Sequence, residues 1–594
     1  MVNILKRIKL SLALAREAFK GYKFYIAVLT ALGFLSGILG GIGINALIPL
    51  FSLIMGESGG EDFISRSIKN VFAFFGVEFG LRNILFFIIA IFVIKAIVLV
   101  IFSYIDAYIS SSYEASTRAR IFEKMVKAKW QYLLNEKLGH LEKILMNNVE
   151  QCRNFLALIS IAVMVLSNLI VYIFVAVNIS LKITILTILL GGILFLFMIP
   201  LLKKIKNVSY AQERINREAA HHINENILGM KLIKTMLAGE GITKIAKGHF
   251  NSIKDIKIRA TILSVLTSVL VEPVTVIFIA VLFAISFKTA GFELAAILVL
   301  VYVIKQIFVY IRQIQDLAVG AHTYTPYLKV VLDYEDQIEN SREIDNGKFP
   351  FSFDKELKFK DVSFFYKSNK HVLGNINFSL KKGEMLGFIG PSGSGKTTIT
   401  DLILRLFEPT QGKIFLDDKR AEEINLKDWR RNIGYVSQDV FLVNDSILNN
   451  VRFYDQSISD EDVSEALKEA NAYDFIKELP KGLNTVVGER GINLSVGQRQ
   501  RIAIARVLAR KPQILILDEA TSSLDNESEK KIQDFINSLK RKITVFVVAH
   551  RLSTVTNSDR LIILEDGKIS EEGSPSELLK DKLSYFYKVS NISN

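Results

Sequence analysis

The chain has 594 residues, several times the size of one domain, which excludes a single-domain protein. Half of its residues are hydrophobic and the mean hydropathy is +0.30, yet 22% are charged, too many for a protein that lies wholly in a membrane. The net charge of +13 fits Lys and Arg retained on the cytoplasmic side of a membrane, so we expect no nucleic-acid partner.

Six long apolar runs lie in the first half of the chain. Each has about 20 to 30 residues, enough to cross a bilayer as a helix, and the longest predict tilted helices or helices that continue into water. The runs are 26–55, 84–105, 155–177, 183–202, 260–287 and 292–317. We therefore predict an integral, multi-pass membrane protein whose transmembrane domain covers 1–325.

The Lys and Arg residues between the spans indicate the orientation. The connections 110–154 and 203–259 carry about 20 of them, whereas 56–83 and the two tight turns carry about 5. Because basic loops stay on the cytoplasmic side, both termini are expected in the cytoplasm. Both basic connections have apolar residues at helical spacing, which predicts helical extensions of the spans. Without a recognisable organelle-targeting segment, we expect a bacterial inner membrane.

Three ionisable residues lie near the middle of predicted spans. Lys95, Glu272 and Lys305 are each about 11 to 13 residues from a span end, where an unpaired charge costs several kcal/mol. They should therefore face a partner or a substrate cavity. A structural ion pair between lysine and glutamate is one interpretation. One such pair would leave the second lysine without a partner, and that lysine would suit an anionic head group such as a lipid phosphate or pyrophosphate.

The character of the chain changes after the sixth run. The segment Asp333–Lys348 is polar and acidic without an apolar run, so we predict a domain linker at 326–350. From 351 to 594, short β-branched and aromatic runs alternate with helical patterns. This alternation predicts an α/β domain with a largely parallel sheet.

The strongest local signal is a phosphate-binding loop between a predicted strand, Met385–Ile389, and a helical pattern. Glycines let the backbone curl so that amide groups and the helix N-terminus face the phosphates. Lys396 would neutralise the β- and γ-phosphates, and the Thr397 hydroxyl would bind Mg²⁺. The loop residues expected at the nucleotide are Gly390, Ser392, Gly393, Ser394, Gly395, Lys396, Thr397 and Thr398.

An acidic pair follows a second apolar run, Ile514–Leu517. A buried strand there would hold two carboxylates at the phosphate edge of the sheet. Asp518 suits a water-mediated contact to Mg²⁺, and Glu519 suits polarising the water that attacks the γ-phosphorus. Such a pair is common by itself, but together with the phosphate loop it predicts a nucleoside triphosphatase.

The order of these motifs resembles that of the ATP-binding cassette (ABC) proteins. Besides the phosphate loop and the acidic pair, the chain has the signature-like run Leu494-Ser-Val-Gly-Gln498 and the segment Ser522–Asp525. Six spans followed by one cassette resemble the layout of ABC exporters, and this resemblance covers the whole chain. It implies a multidomain membrane protein with a six-helix all-α transmembrane domain and an α/β P-loop nucleotide-binding domain that carries a helical subdomain.

The resemblance implies further roles at the nucleotide. Tyr366 would stack on the adenine, and Gln438 would join Thr397 at Mg²⁺. His550 would hold the γ-phosphate and the attacking water, beside Glu519 as the second catalytic residue. The implied metal ligands are Thr397, Gln438 and Asp518. ATP and Mg²⁺ are the cofactors that this set implies.

The signature run would act across a dimer. Ser495, Gly497 and Gln498 match the family pattern, in which the serine and the glycine bind the γ-phosphate of a nucleotide held by the opposite subunit. Val496 departs from the usual glycine, and we expect an altered rate rather than a lost function. Because Glu519 and every other cassette element are present, a homodimer with two competent sites is favoured over half of an asymmetric pair.

The expected function is ATP-driven export by a translocase whose cassette lies in the cytoplasm. The leading substrate is a hydrophobic or amphipathic molecule, a lipid or lipid-linked saccharide. A multidrug or peptide exporter is the alternative, as is one half of a heterodimeric transporter. The resemblance also implies coupling helices at Ala115–Phe122 and Leu232–Gly239, which would dock on the cassettes.

Overall fold

The computed structural model describes residues 19–54, 63–74, 76–136, 138–286, 294–366, 371–519, 526–549 and 551–592. The chain divides into two compact units. The first comprises Met1–Ala128 and Tyr132–Arg342, and the second comprises Lys129–Gln131 and Glu343–Asn594. The described part of the second unit contains both β-sheets.

The first unit is helical. Its helices in the described part of the chain are α1 (Lys23–Asn45), α2 (Leu47–Ile54), α3 (Phe63–Phe74), α4 (Leu81–Val126), α5 (Trp130–Asn135, whose first two residues are assigned to the second unit), α6 (Leu138–Lys143), α7 (Val149–Ile179), α8 (Leu181–Leu228), α9 (Met230–Thr235), α10 (Gly239–Ser268), α11 (Val271–Ser286) and α12 (Leu294–Asn340). Six stretches among the described residues are long and apolar enough to cross a membrane, which confirms the predicted number of spans.

Three helices are much longer than a bilayer is thick. Helices α4, α8 and α12 have 46, 48 and 47 residues. At about 1.5 Å per residue each is about 70 Å long, whereas the apolar core of a bilayer measures about 30 Å. Helices α4 and α8 therefore continue well beyond their apolar runs into the two basic connections, as the sequence predicts, and α12 continues beyond the sixth run.

Two local expectations differ from the structure. The segment 326–350 is helical as far as Asn340, because α12 continues through it and buries the side chain of Leu328. The polar residues of this segment, such as Asp333 and Asp336, lie on the exposed face of the helix, whereas Val331 and Ile338 are buried with Leu328. The first coupling segment, Ala115–Phe122, is an uninterrupted part of α4, since no glycine or proline breaks the helix there. The second, Leu232–Gly239, overlaps the separate short helix α9.

Glycines let α1 approach its neighbours closely. A Cβ added at Gly33 would lie 3.2 Å from the Cα of Met164 on α7. A Cβ added at Gly43, on another side of α1, would lie 3.0 Å from a ring carbon of Phe92 on α4. Both distances are tighter than ordinary van der Waals contact, so glycine at these positions allows three helices to pack side by side.

The second unit is an α/β domain, as predicted. Its strands are β1 (Glu356–Phe365), β2 (His371–Lys381), β3 (Met385–Ile389), β4 (Gln411–Leu416), β5 (Lys419–Arg420), β6 (Ile433–Val436), β7 (Ile514–Asp518), β8 (Thr544–Val548), β9 (Arg560–Glu565) and β10 (Lys568–Gly573). Its described helices are α13 (Lys396–Ile403), α14 (Leu426–Asn432), α15 (Ile447–Arg452), α16 (Asp460–Glu469), α17 (Tyr473–Glu478), α18 (Val496–Leu508), α19 (Asn526–Leu539), α20 (Leu552–Val555), α21 (Pro575–Leu578) and α22 (Tyr585–Ile592).

The larger sheet of this unit positions the candidate site. Its strand order is β10-β9-β3-β8-β7-β6, and every pairing is parallel except that of β10 with β9. Strands β3, β7 and β8 are buried along their whole length. The smaller sheet, β2-β1-β4-β5, is antiparallel. Because parallel strands end at the same edge, the residues after β3, β6 and β7 come together there.

Candidate active site

The phosphate loop joins the end of β3 to the start of α13. Its glycines at 390, 393 and 395 have φ angles of 153°, 82° and 107°, in the left-handed region that favours glycine. A Cβ at Gly390 would overlap the carbonyl oxygen of Leu564, and one at Gly395 would lie 2.6 Å from the side chain of Leu373. The loop therefore has this curled shape only with glycine at these two positions.

Lys396 begins α13, and its side chain is buried within the loop. It is 5% exposed, and its Nζ donates hydrogen bonds of 2.9 Å to the carbonyl oxygens of Gly390 and Pro391. Burial lowers the pKa of Lys396, while the carboxylates of Glu519 and Asp518 act in the opposite direction. The loop thus holds the Lys396 ammonium group at the N-terminus of α13, where phosphate groups bind favourably.

The predicted acidic pair lies at the end of β7, beside the loop. Asp518 is 5% exposed, and its Oδ2 accepts a 3.2 Å hydrogen bond from the hydroxyl of Tyr435 on β6. Glu519 has a φ of 49°, unusual for a residue with a side chain, and its backbone N–H donates to the Val548 carbonyl at 2.9 Å. Gln438 Nε2 donates a 2.6 Å hydrogen bond to Glu519 Oε2.

These groups surround one cleft of about 480 Å³. The residues that line it are Val372, Ser392, Gly393, Gly395, Lys396, Thr397, Thr398, Gln438 and Glu519. All of them except Val372 are predicted site residues. Ser394 and Asp518 are buried, and neither lines the cleft directly. A curled amide-rich loop, a buried lysine and an adjacent carboxylate pair fit a nucleotide triphosphate and a divalent cation.

Tyr366 and the signature residues do not line this cleft. The Tyr366 hydroxyl lies 3.4 Å from Thr398 Oγ1, and its ring packs edge-on against Phe364 and Phe407. Its hydroxyl contact with Thr398 therefore holds Tyr366 next to the first turn of α13. The predicted catalytic His550 and the segment Ser522–Asp525 lie outside the described residues.

The signature run forms the N-terminus of α18. Ser495 Oγ accepts a 3.2 Å hydrogen bond from the backbone N–H of Gln498, and Gln498 Oε1 accepts a 2.9 Å hydrogen bond from the N–H of Ser495. This reciprocal pair is a capping box. Val496 is 40% exposed at the first helical position, and Gly497 is buried. The signature is a rigid helix start that can present backbone N–H groups to an anion.

Besides Val372, sequence reasoning missed two residues of the site. Tyr435 is one; it binds Asp518 from the neighbouring strand. Asp401 is the other: burial and then the charge of Asp518 raise its pKa to about 6. The sequence does contain a signal for Asp401, because it follows Thr397 by four residues and so lies on the same face of α13.

Two family models match the chain. The model for the ABC transporter transmembrane region matches 30–311, and the model for the ABC transporter matches 373–522. A heterocyst differentiation ATP-binding protein, HepA, from Nostoc sp. is 32% identical over 472 residues, 78% of this chain and 76% of that protein. The chain belongs to the ABC transporters. It is an ABC exporter with fused transmembrane and nucleotide-binding domains, and it couples ATP hydrolysis to transport.

Further comparisons agree with this family. An ATP-dependent lipid A-core flippase from Francisella tularensis is 32% identical to the exporter over 482 residues, 78% of this chain and 77% of that protein. A solved bacterial Atm1-family ABC exporter with ATP bound has the same fold. Its TM-score is 0.79 at 21% identity, over 97% of this chain and 99% of that chain. The six spans and this family make the exporter an integral, multi-pass membrane protein.

Proposed function

We propose that two copies of the chain form a homodimeric exporter that moves an amphipathic lipid with an anionic group, including a lipid-linked saccharide, across a bacterial inner membrane. The proposal rests on the groups that surround Lys95 in α4. A Cβ added at Gly40 would lie 2.6 Å from Lys95 Nζ and 3.3 Å from the hydroxyl of Tyr172. The ammonium group of Lys95 and the phenol of Tyr172 therefore both lie beside Gly40, which has no side chain.

Lys95 has no counter-ion in the described part of the chain. It is half-buried, and its Nζ lies 5.9 Å from the centroid of the Phe92 ring. Tyr172 is 2% exposed. An ammonium held in an apolar span costs several kcal/mol unless an anion compensates it. A phosphate group of a lipid would supply that charge and would also accept a hydrogen bond from the phenol.

The alternative of a structural ion pair loses support. Neither Lys95 nor Lys305 forms an ion pair with Glu272 among the described residues, and both Glu272 and Lys305 are exposed on the first unit. The lysines therefore stay available for a ligand. The name of the Francisella relative, a lipid A-core flippase, is consistent with a lipid as substrate.

The cassette residues support hydrolysis of ATP as the driving reaction. Lys396 would bind the β- and γ-phosphates, and Glu519, oriented by its hydrogen bond from Gln438, would polarise the attacking water. Mg²⁺, when bound by Thr397, Gln438 and Asp518, would neutralise charge on the phosphates. Ser495 and Gly497 of one copy would complete the nucleotide site of the other copy. His550 would complete the nucleotide site of its own copy. This arrangement requires two chains, which is why a homodimer is proposed.

The proposal is tested by the ATPase rate of the protein in nanodiscs. Phosphatidic acid or a lipid pyrophosphate would be added, and separately a cationic drug, for the wild type and for Lys95→Ala with Lys305→Ala. We expect stimulation by the anionic lipids in the wild type and its loss in the double variant. Stimulation by drugs alone, unchanged in the double variant, would support a multidrug exporter and refute the lipid proposal.

A further inference from the structure

A second cavity of the first unit lies between α7 and α12 and has a volume of about 540 Å³. This size is typical of small-molecule sites. Its polar lining comes from Asn154, Gln313, Asp316 and Tyr324. It lies where the third predicted span begins and the sixth ends. By the distribution of basic residues this is the cytoplasmic boundary, the depth at which an inner-leaflet lipid has its head group.

The polar groups of the cavity are open to a ligand. In the part of the chain that the structure describes, neither the Gln313 amide nor the Asp316 carboxylate has a hydrogen-bond or ion-pair partner. Asn154 is held by its own helix, because its Oδ1 accepts from Arg153 at 2.9 Å. Together an amide, a carboxylate and a phenol offer donors and acceptors within one cleft. A ligand with several hydroxyl groups, each both donor and acceptor, matches this set.

The charge of the residues that line the cavity indicates whether its ligand is a polyol or an ion. Arg312 lies one helical turn before Asp316 and interacts with its carboxylate electrostatically. Asp316 is the charged residue among those that line the cavity, and Arg312 is not part of the lining, so the carboxylate repels a phosphate. Sugar hydroxyls donate hydrogen bonds to a carboxylate and need no counter-charge, and the opposing charge of Arg312 weakens the attraction for an ammonium.

The opposite wall is apolar. It is formed by Leu158, Ile161 and Met164 of α7 together with Leu317 of α12. A Cβ added at Gly320 would overlap the side chain of Leu158, so the glycine lets this leucine sit against α12 at the end of the cavity. A polar side facing an apolar wall fits a ligand that joins a hydroxyl-rich head to an acyl chain.

We infer that this cavity binds the sugar of a glycosylated lipid. The inference rests on the proposed lipid transport and narrows it: the cavity recognises the neutral glycosyl part, whereas Lys95 and Lys305 recognise an anionic group. Gln313 and Asp316 provide the hydrogen bonds to the sugar hydroxyls, and the apolar wall takes the adjoining chain.

The test measures equilibrium binding of fluorescent lipids to the full-length protein in phosphatidylcholine nanodiscs. The probes share their acyl chains and are dihexosyl diacylglycerol, phosphatidic acid and a diacyl trimethylammonium lipid. The test variant combines Gln313→Met with Asp316→Leu. Gln306→Met is the matched control, since Gln306 lies on the same helix outside the cavity and bonds to Tyr302. A third protein, Asp316→Asn, keeps the shape and removes the charge.

We expect the double variant to bind dihexosyl diacylglycerol at least about tenfold more weakly, with phosphatidic acid binding unchanged. Asp316→Asn and Gln306→Met should bind the glycosyl lipid within about twofold of the wild type. Unchanged glycosyl-lipid binding in the double variant would overturn the inference. So would loss of the cationic lipid alone in Asp316→Asn, which would indicate a cation site. Failure of the wild type to bind phosphatidic acid would count against the proposed function and leave the glycosyl result standing.

Discussion

The side-chain amide of Gln438 donates a 2.6 Å hydrogen bond to the carboxylate of Glu519. The two residues are 81 positions apart in the chain and lie after neighbouring parallel strands, β6 and β7. A residue proposed to bind Mg²⁺ and the residue proposed as general base therefore constrain each other. Any displacement of Gln438 changes the direction in which the base points.

Glu519→Gln should reduce ATP turnover by about 10²- to 10⁴-fold, because an amide cannot accept the proton of the attacking water. ATP binding should persist, since the loop and Lys396 are untouched. Phosphate release and binding of a fluorescent ATP analogue measure the two effects separately. Gln438→Ala removes the orienting hydrogen bond and should reduce turnover less. Turnover of Glu519→Gln within twofold of the wild type would contradict the assignment.

Gly390→Ala should abolish nucleotide binding. Its Cβ would overlap the Leu564 carbonyl oxygen, a backbone atom that cannot rotate away. Gly393→Ala is the matched control, because φ is also positive there but no atom lies within 4 Å of the added carbon. It should cost only about 1 kcal/mol of backbone strain. Titration with ATP and thermal unfolding of both variants check this, and equal losses in the two would count against it.

Asp401→Asn should stabilise the cassette at high pH. The folded-state pKa of Asp401 is raised to about 6 from 3.8, so ionising this carboxyl destabilises the fold above pH 6. The penalty diminishes as the pH falls from 6 towards 3.8 and is absent below. We expect a gain of about 1 kcal/mol at pH 8, after allowance for partial solvent exposure. Thermal unfolding across this pH range measures it; a gain that grows at lower pH would disprove the sign.

Val496→Gly should change ATP turnover by a few-fold at most. Val496 is 40% exposed, and the capping pair between Ser495 and Gln498 does not involve its side chain. Glycine at this helical position should also cost about 0.5–1 kcal/mol of stability. Steady-state hydrolysis and thermal unfolding give the two values. An inactive natural protein that Val496→Gly restores would show that the valine blocks the site.

Gly40→Ala should weaken any response to anionic lipid. The new methyl would lie 2.6 Å from Lys95 Nζ and 3.3 Å from the Tyr172 hydroxyl, so the ammonium must move. Gly192→Ala on α8 is the control, since no atom lies within 4 Å of its added Cβ. The measurement is lipid-stimulated ATPase activity in nanodiscs. An equal loss in both variants would point to a general effect of alanine in a span.

The sequence alone predicts what depends on neighbours along the chain. Apolar length predicts the six spans, and glycines around Lys396 predict the loop, because bilayer thickness and backbone φ are local constraints. The strand before Asp518 follows from a continuous apolar run for the same reason. Seven of the nine residues that line the nucleotide cleft follow from these local patterns, Gln438 follows from the family resemblance, and Val372 was not predicted.

Tertiary structure decided what depends on partners distant in the chain. The composition of 326–350 indicates a linker, yet packing of Leu328 keeps α12 helical to Asn340. Nothing local links Tyr435 to Asp518, and only the parallel pairing of β6 with β7 brings them together. Lys95, Gly40 and Tyr172 likewise meet only because three helices pack closely. The sequence determined the motifs through local backbone and solvation energies, whereas their mutual distances followed from packing between elements.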